Sequence, residues 1–200
     1  MATTKVEQVV DFVRQRGVVR SRDIERIGVS REYLRRLTMN GVVVRIGRGL
    51  YTLPNAEPSA HRSLVEAARL VPHGVVCLLS ALQFHQLTTQ LPREVWLAVD
   101  RRAWKPVSGG SPLRIVKFSG DALTEGVEQH RIEGTVVPIY CPAKTVADCF
   151  KYRNKIGLDV ALEALRDCWR ERRCSMDDLW RYAKVCRVAN VMRPYLESLT

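Results

Sequence analysis

The sequence predicts an α+β protein, an N-terminal winged helix-turn-helix over residues 1–54 followed by a C-terminal α+β domain over 60–200 with a small sheet and several helices. Three observations predict it. Three short amphipathic segments, each closed by a glycine, precede two β-rich runs around Gly47-Arg48-Gly49. Later β-rich runs alternate with stretches of helical spacing. Charge is concentrated at the start: residues 1–54 hold eleven Lys or Arg against five acids, within a formal net charge of +11 over 200 residues.

Val6, Val9, Val10 and Val13 recur at helical spacing opposite Glu7, Asp11, Arg14 and Gln15, which predicts a helix over 5–16 that Gly17 ends. A basic connector over 18–20 leads to Ser21, read as the N-cap of a second, two-turn helix carrying Ile24 and Ile27 and stopped by Gly28. Ser30 then caps a third helix over 31–40, closed by Gly41. This helix divides by face, with Tyr33, Leu34 and Leu37 inward and Arg31, Glu32, Arg35 and Thr38 outward. Residues 42–46 and 50–54 form a hairpin, the wing, with Arg48 at its tip.

A net positive balance predicts a polyanionic partner. A helix fits the major groove, and the guanidinium fork matches the acceptor edge of guanine, so Arg31 and Arg35 are the expected base readers. Ser30 suits a phosphate at a helix N-terminus. Arg45 and Arg48 are the expected wing contacts, on backbone or in a narrow minor groove. Arg20, Arg22 and Arg36 complete the expected DNA-binding set.

Residues 55–59, with Pro54 before them and Pro58 among them, read as a linker. A helix over 60–71 follows, broken at Pro72-His73-Gly74, and an apolar run from Val75 leads into a helix ending near His85, expected at a packed helix end. The β-rich runs 95–99, 114–118 and 136–140 should pair into one sheet, separated by stretches such as Ser108-Gly109-Gly110-Ser111-Pro112. Pro142 opens a helix to about Asn154, a second runs over 158–172, and Ser175 with Asp178 makes a capping box for a third. A last helical segment carries Val191, Tyr195 and Leu196 and is interrupted by Pro194.

The chain carries no phosphate-loop, dinucleotide or Gly-x-Ser-x-Gly pattern and no acidic-x-Lys triplet, so no enzymatic activity, cofactor or catalytic residue is expected. Asp100, followed by Arg101-Arg102, reads as a paired surface carboxylate. Cys77, Cys141, Cys149, Cys168, Cys174 and Cys186 lack metal-ligand spacing and read as small buried hydrophobes, and no metal site is expected among them or the four histidines. No apolar run reaches the roughly 18–20 residues of a membrane span, so a soluble, cytoplasmic protein without a membrane partner is expected. Basic runs at Lys151, Arg153 and Lys155 and at Arg170 to Arg173 read first as solvated helix ends, with an extended DNA footprint or an acidic protein partner as the alternatives.

The order of parts resembles the AbiEi antitoxins of abortive-infection, type IV toxin–antitoxin systems. The resemblance rests on Arg45-Ile46-Gly47-Arg48-Gly49-Leu50-Tyr51 in the wing and on Leu79-Ser80-Ala81-Leu82-Gln83-Phe84-His85-Gln86-Leu87-Thr88. It continues through residues 92–99 and Lys144-Thr145-Val146-Ala147-Asp148-Cys149-Phe150. It implies a repressor that binds inverted repeats in the promoter of its own operon and counteracts a co-encoded nucleotidyltransferase toxin in phage defence, whether or not the two proteins touch. Inverted repeats call for two readers, and without a zipper pattern the expected species is a monomer that binds DNA cooperatively. A ligand-responsive winged-helix regulator is the competing expectation.

Overall fold

The structure is a computed structural model that describes residues 4–55, 61–103 and 111–199. Of the expected linker only Asn55 is described, and of Ser108-Gly109-Gly110-Ser111-Pro112 only the last two residues; the rest lies outside the described residues. Among the described residues eleven helices and two sheets make an α+β architecture, as the sequence predicts.

The winged helix opens with α1 (Lys5–Arg16), whose N-cap Thr4 accepts from the Glu7 amide while the Glu7 carboxylate accepts from the Thr4 amide at 2.8 Å. Val9 and Val13 are buried and Val6 is 36% exposed, so the helix packs through a narrower stripe than its four valines suggest. The expected connector is in part a strand, β1 (Val19–Arg20), before α2 (Ser21–Arg26). Arg20, not Ser21, is the N-cap: its amide donates to Asp23 Oδ2 at 3.2 Å, and the Ser21 amide is taken by Gly49 O at 3.0 Å. Helix α3 (Arg31–Met39) starts at Ser30, whose hydroxyl accepts from the Tyr33 amide. Strands β2 (Val44–Gly47) and β3 (Leu50–Thr52) form the wing, and β1 pairs with β3 to give the order β1-β3-β2. Val9, Val13, Val19, Ile24, Val29, Leu34, Leu37 and Val43 form the core of this part.

Helix α4 (Arg62–Leu70), β4 (Val75–Val76) and α5 (Leu78–Phe84) follow, then β5 (Val95–Asp100), β6 (Leu113–Phe118), α6 (Asp121–Thr124), β7 (Val127–Ile132) and β8 (Thr135–Tyr140). The chain closes with α7 (Pro142–Lys151), α8 (Arg153–Ile156), α9 (Leu158–Arg170), α10 (Met176–Val185) and α11 (Ala189–Glu197). The sheet has five strands in the order β6-β5-β4-β8-β7 rather than the three expected. It is mixed: β5 runs parallel to β6, and β4 runs antiparallel to β5 and parallel to β8. The helix from Pro142 ends at Lys151, and α11 continues through Pro194 instead of being interrupted by it.

Packing divides the chain into two compact units. The first comprises the described parts of Met1–Pro72, Pro106–Pro112 and His130–Val137. The winged helix therefore packs together with α4 and with the tip of the β7–β8 hairpin, segments assigned from sequence to the 60–200 portion. Two glycines permit the approach at that tip. A Cβ on Gly134 (φ +69) would lie 2.2 Å from Gln15 O, and one on Gly17 (φ +64) would lie 2.8 Å from Glu133 O. Arg69 of α4 donates to Thr135 Oγ1 at 3.1 and 3.3 Å and stands 3.6 Å from Asp23, while Thr135 Oγ1 donates to Arg16 O.

The second unit comprises the described parts of His73–Lys105, Leu113–Gln129 and Pro138–Thr200. Its core gathers Leu78, Leu82, Trp96, Tyr140, Val146, Phe150, Leu165 and Met192. His85 caps α5, 8% exposed, with Nε2 2.7 Å from Tyr140 O, the packed helix end the sequence predicts. Ser175 and Asp178 form the expected capping box of α10. Asp100 has a different partner from the one expected: its carboxylate accepts from the backbone amide of Arg102 at 2.7 Å, a local turn rather than an ion pair. Cys77, Cys149, Cys168 and Cys186 are buried, whereas Cys141 and Cys174 are half-buried, and Cys174 Sγ lies 3.1 Å from Cys168 Sγ.

Candidate nucleic-acid interface

The candidate surface is built by the short elements of the first unit. Gly28, at φ +81, turns the chain between α2 and α3, and buried Val29 pins the turn to the core. Leu34 and Leu37 bury the inner face of α3, which leaves Arg31 and Arg35, one turn apart, on its exposed face. Arg31 Nε donates to Glu25 Oε1, an ion pair between α2 and α3 that raises the Arg31 pKa. The pairing occupies Nε and leaves the two terminal nitrogens of the fork for another acceptor. Arg35 is exposed, and Arg36 lies over the Tyr33 ring at 4.6 Å.

On the wing, Arg45 faces Tyr51 across the hairpin, and a register shift between Arg45 and Gly47 bends the strand. Arg45 Nε donates to Gly47 O at 3.1 Å, which holds the side chain along the strand. Arg48 is exposed in the turn, beside Gly49 at φ +70. Arg22 is exposed at the start of α2. Arg20 is half-buried: burial lowers its guanidinium pKa, as do the neighbouring cations Arg22 and Arg69, while Asp23 opposes them. Ser30 is exposed with its hydroxyl lone pair on the Tyr33 amide, so its O–H remains able to donate to a phosphate.

The eight expected residues thus occupy three places: α3 and its cap, the wing, and the β1–α2 corner. Asp23, absent from the expected set, gathers the Arg20 amide, Arg26 at 3.7 Å and Arg69 and so braces the corner. Its only visible signal is the acidic residue three positions after Arg20. Among the described residues no group of three His, Cys, Asp or Glu could hold a metal ion, and no helix is long and apolar enough to cross a membrane.

Residues 7–54 match the family of AbiEi antitoxin transcriptional regulators. The match covers α1, α2, α3 and the wing, the region that carries all eight expected contacts. No curated protein matches the sequence. A crystal structure of the RV2827C protein from Mycobacterium tuberculosis is similar over 92% of this chain and 72% of its own, with a TM-score of 0.62 and 15% identity, a likeness of fold.

Proposed function

We propose that this protein is an autoregulating antitoxin. Its winged helix binds inverted repeats in the promoter of its own operon and represses transcription, and the remainder of the chain counteracts a co-encoded nucleotidyltransferase toxin. Residues 1–54 are the DNA-binding domain, with Arg31 and Arg35 reading base edges and Ser30 and Arg36 on phosphate. Arg45 and Arg48 lie on the backbone or in the minor groove, and Arg20 and Arg22 contact flanking phosphates. The chain is a monomer in solution, and two copies assemble on the repeats.

One observation carries the reading: the exposed Arg31–Arg35 face of α3 and the exposed Arg48 of the wing fall within the stretch that matches the antitoxin regulators. The test is binding to the chain's own promoter at fixed salt. Arg35→Ala should cost about 1–3 kcal/mol on the specific site and relax base preference. Arg48→Ala should weaken binding to all sequences alike. Wild-type affinity in both variants would sink the proposed docking surface. Rescue from the neighbouring toxin gene, assayed with the operon under a foreign promoter, tests the antitoxin half separately.

A further inference from the structure

In the second unit a cavity of about 460 Å³ opens where β6, α7 and α10 end. That volume lies in the range of small-molecule sites. Its cations come from three elements: Lys117 near the end of β6, Lys151 closing α7, and Lys184 and Arg187 at the end of α10. Lys117 donates to the carbonyls of Asp100, at 3.3 Å, and Ala103. Lys151, Lys184 and Arg187 are exposed and make no ion pair among the described residues. The lining has two acids, and one is answered from within. Asp148, 2% exposed, is held by Lys144 Nζ at 2.6 Å and by the Cys186 thiol at 3.2 Å, and Asp121 is exposed. One side of the cavity is aromatic: Tyr152, half-buried, is stacked on Phe118 with ring centroids 5.7 Å apart.

Cations collect at helix C-termini for reasons of the helix dipole alone, and Lys151 and Lys184 fit that account. Arg187 does not. It stands one position past the α10 cap at φ +58, with its amide on Lys184 O and the next amide on Ala183 O. That helix-ending geometry favours glycine, because a side chain is strained there. Arg172 has the same geometry after α9 and lines no cavity, so it is the position of Arg187 in the cavity wall that brings a guanidinium to this site.

We propose that this cavity binds a phosphorylated small molecule of nucleotide size, with its phosphates on Lys151, Lys184 and Arg187 and its ring against Tyr152. The guanidinium fork and two ammonium groups match a multiply charged phosphate, and the aromatic side matches a base. The site belongs to a different unit from the docking surface, so this inference stands apart from the repressor reading.

The test is calorimetric titration and thermal melting of the full chain with ADP, adenosine and inorganic phosphate. ADP should bind and raise the melting temperature, and adenosine and phosphate should each bind at least tenfold more weakly. Lys184→Ala and Arg187→Gly should each weaken ADP binding at least tenfold. Arg187→Gly should also melt no lower than the wild type without ligand, which separates loss of the ligand from loss of the fold. Arg172 ends α9 at φ +53 and does not line this cavity, so Arg172→Gly should leave ADP binding unchanged. No ADP binding at millimolar concentration, or wild-type binding by both cavity variants, would overturn the proposal. So would phosphate binding as tight as ADP, or displacement of ADP by random-sequence duplex DNA, since the site would then serve a bare anion or a nucleic-acid backbone.

Discussion

Lys144 and Asp148 are the two most consequential charges in the second unit, because neither reaches water: they are 0% and 2% exposed. The ammonium lies 4.0 Å from the centre of the Tyr140 ring and 5.0 Å from that of Phe118, so it is satisfied on several sides. Burial pushes the Asp148 carboxyl up from its ordinary value, and Lys144 and the Cys186 thiol pull it back. Lys144→Met leaves the buried carboxylate without its cation and with only the Cys186 thiol as partner, and the expected cost is about 3–5 kcal/mol in urea unfolding. A raised folded-state pKa favours the fold at low pH and loses that stability as pH rises, so the deficit should widen as pH climbs above the ordinary carboxylate value, about 3.9. A deficit that does not change with pH would show that the carboxyl is not the group left uncompensated. None of this is legible locally. A Lys and an Asp four apart read as a solvent-facing helix pair, and only β8, α10 and the packing of Tyr140 decide that they are inside. The Cys168–Cys174 pair is equally hidden, since a spacing of six matches no metal or redox motif. Its hydrogen bond lowers the Cys174 thiol pKa against the opposing effect of burial. Cys174 should therefore be alkylated faster by iodoacetamide near neutral pH than in a Cys168→Ala variant, as read by peptide mass mapping; equal rates would contradict it.

Helix boundaries were the most readable elements, because caps are local chemistry. Ser30, Ser175 with Asp178, and Pro142 all stand at the helix starts expected of them. The Thr4–Glu7 box has the same sequence form and stands one residue ahead of the stretch that the valine spacing marks as helix. Strands that depend on partners were not readable. β1 and β4 are two residues each and exist through pairing with β3 and with β5 and β8. β7, Val-Glu-Gln-His-Arg-Ile, has no buried residue, so it lacks the apolar alternation that marks a strand. The α10 cap gives a quantitative test at this scale. The Ser175 hydroxyl and amide both donate to Asp178, which lowers that carboxyl's pKa. A depressed folded-state pKa contributes stability above the ordinary carboxylate value, about 3.9, and loses it as pH falls through the folded value. Ser175→Ala should cost about 0.5–2 kcal/mol at neutral pH. The gap from the wild type should shrink below about pH 4, read by thermal melting across pH, and a constant gap would mean that the cap acts without the carboxylate.

For the molecule as a whole, the sequence divides where composition changes, near residue 55, whereas packing holds the described parts of Met1–Pro72 together with His130–Val137. No sequence pattern announces this, because the bond from Thr135 to Arg16 spans 119 positions and the fit at Gly134 depends on the carbonyl of Gln15. The consequence bears on how repression and neutralisation are to be separated. A chain beginning at residue 60 would strip α4 and the hairpin tip of their partners, leaving Arg69 without Asp23 and Thr135 without Arg16 O. Both polar groups would face new solvent, and α4, whose Leu64, Val65 and Ala67 are buried in the full chain, would lose most of the compact unit it belongs to. The shortened chain should melt at a lower temperature and with a broader transition than the full chain, with increased binding of a hydrophobic dye. A sharp transition at the full-chain temperature, without dye binding, would instead mark residues 60–200 as self-sufficient. The better instrument is the full chain with Arg35→Ala and Arg48→Ala together, since both side chains are exposed and their removal should leave melting unchanged. If that variant neither represses nor rescues, neutralisation depends on repression; if it rescues alone, the two activities reside in different parts of one chain.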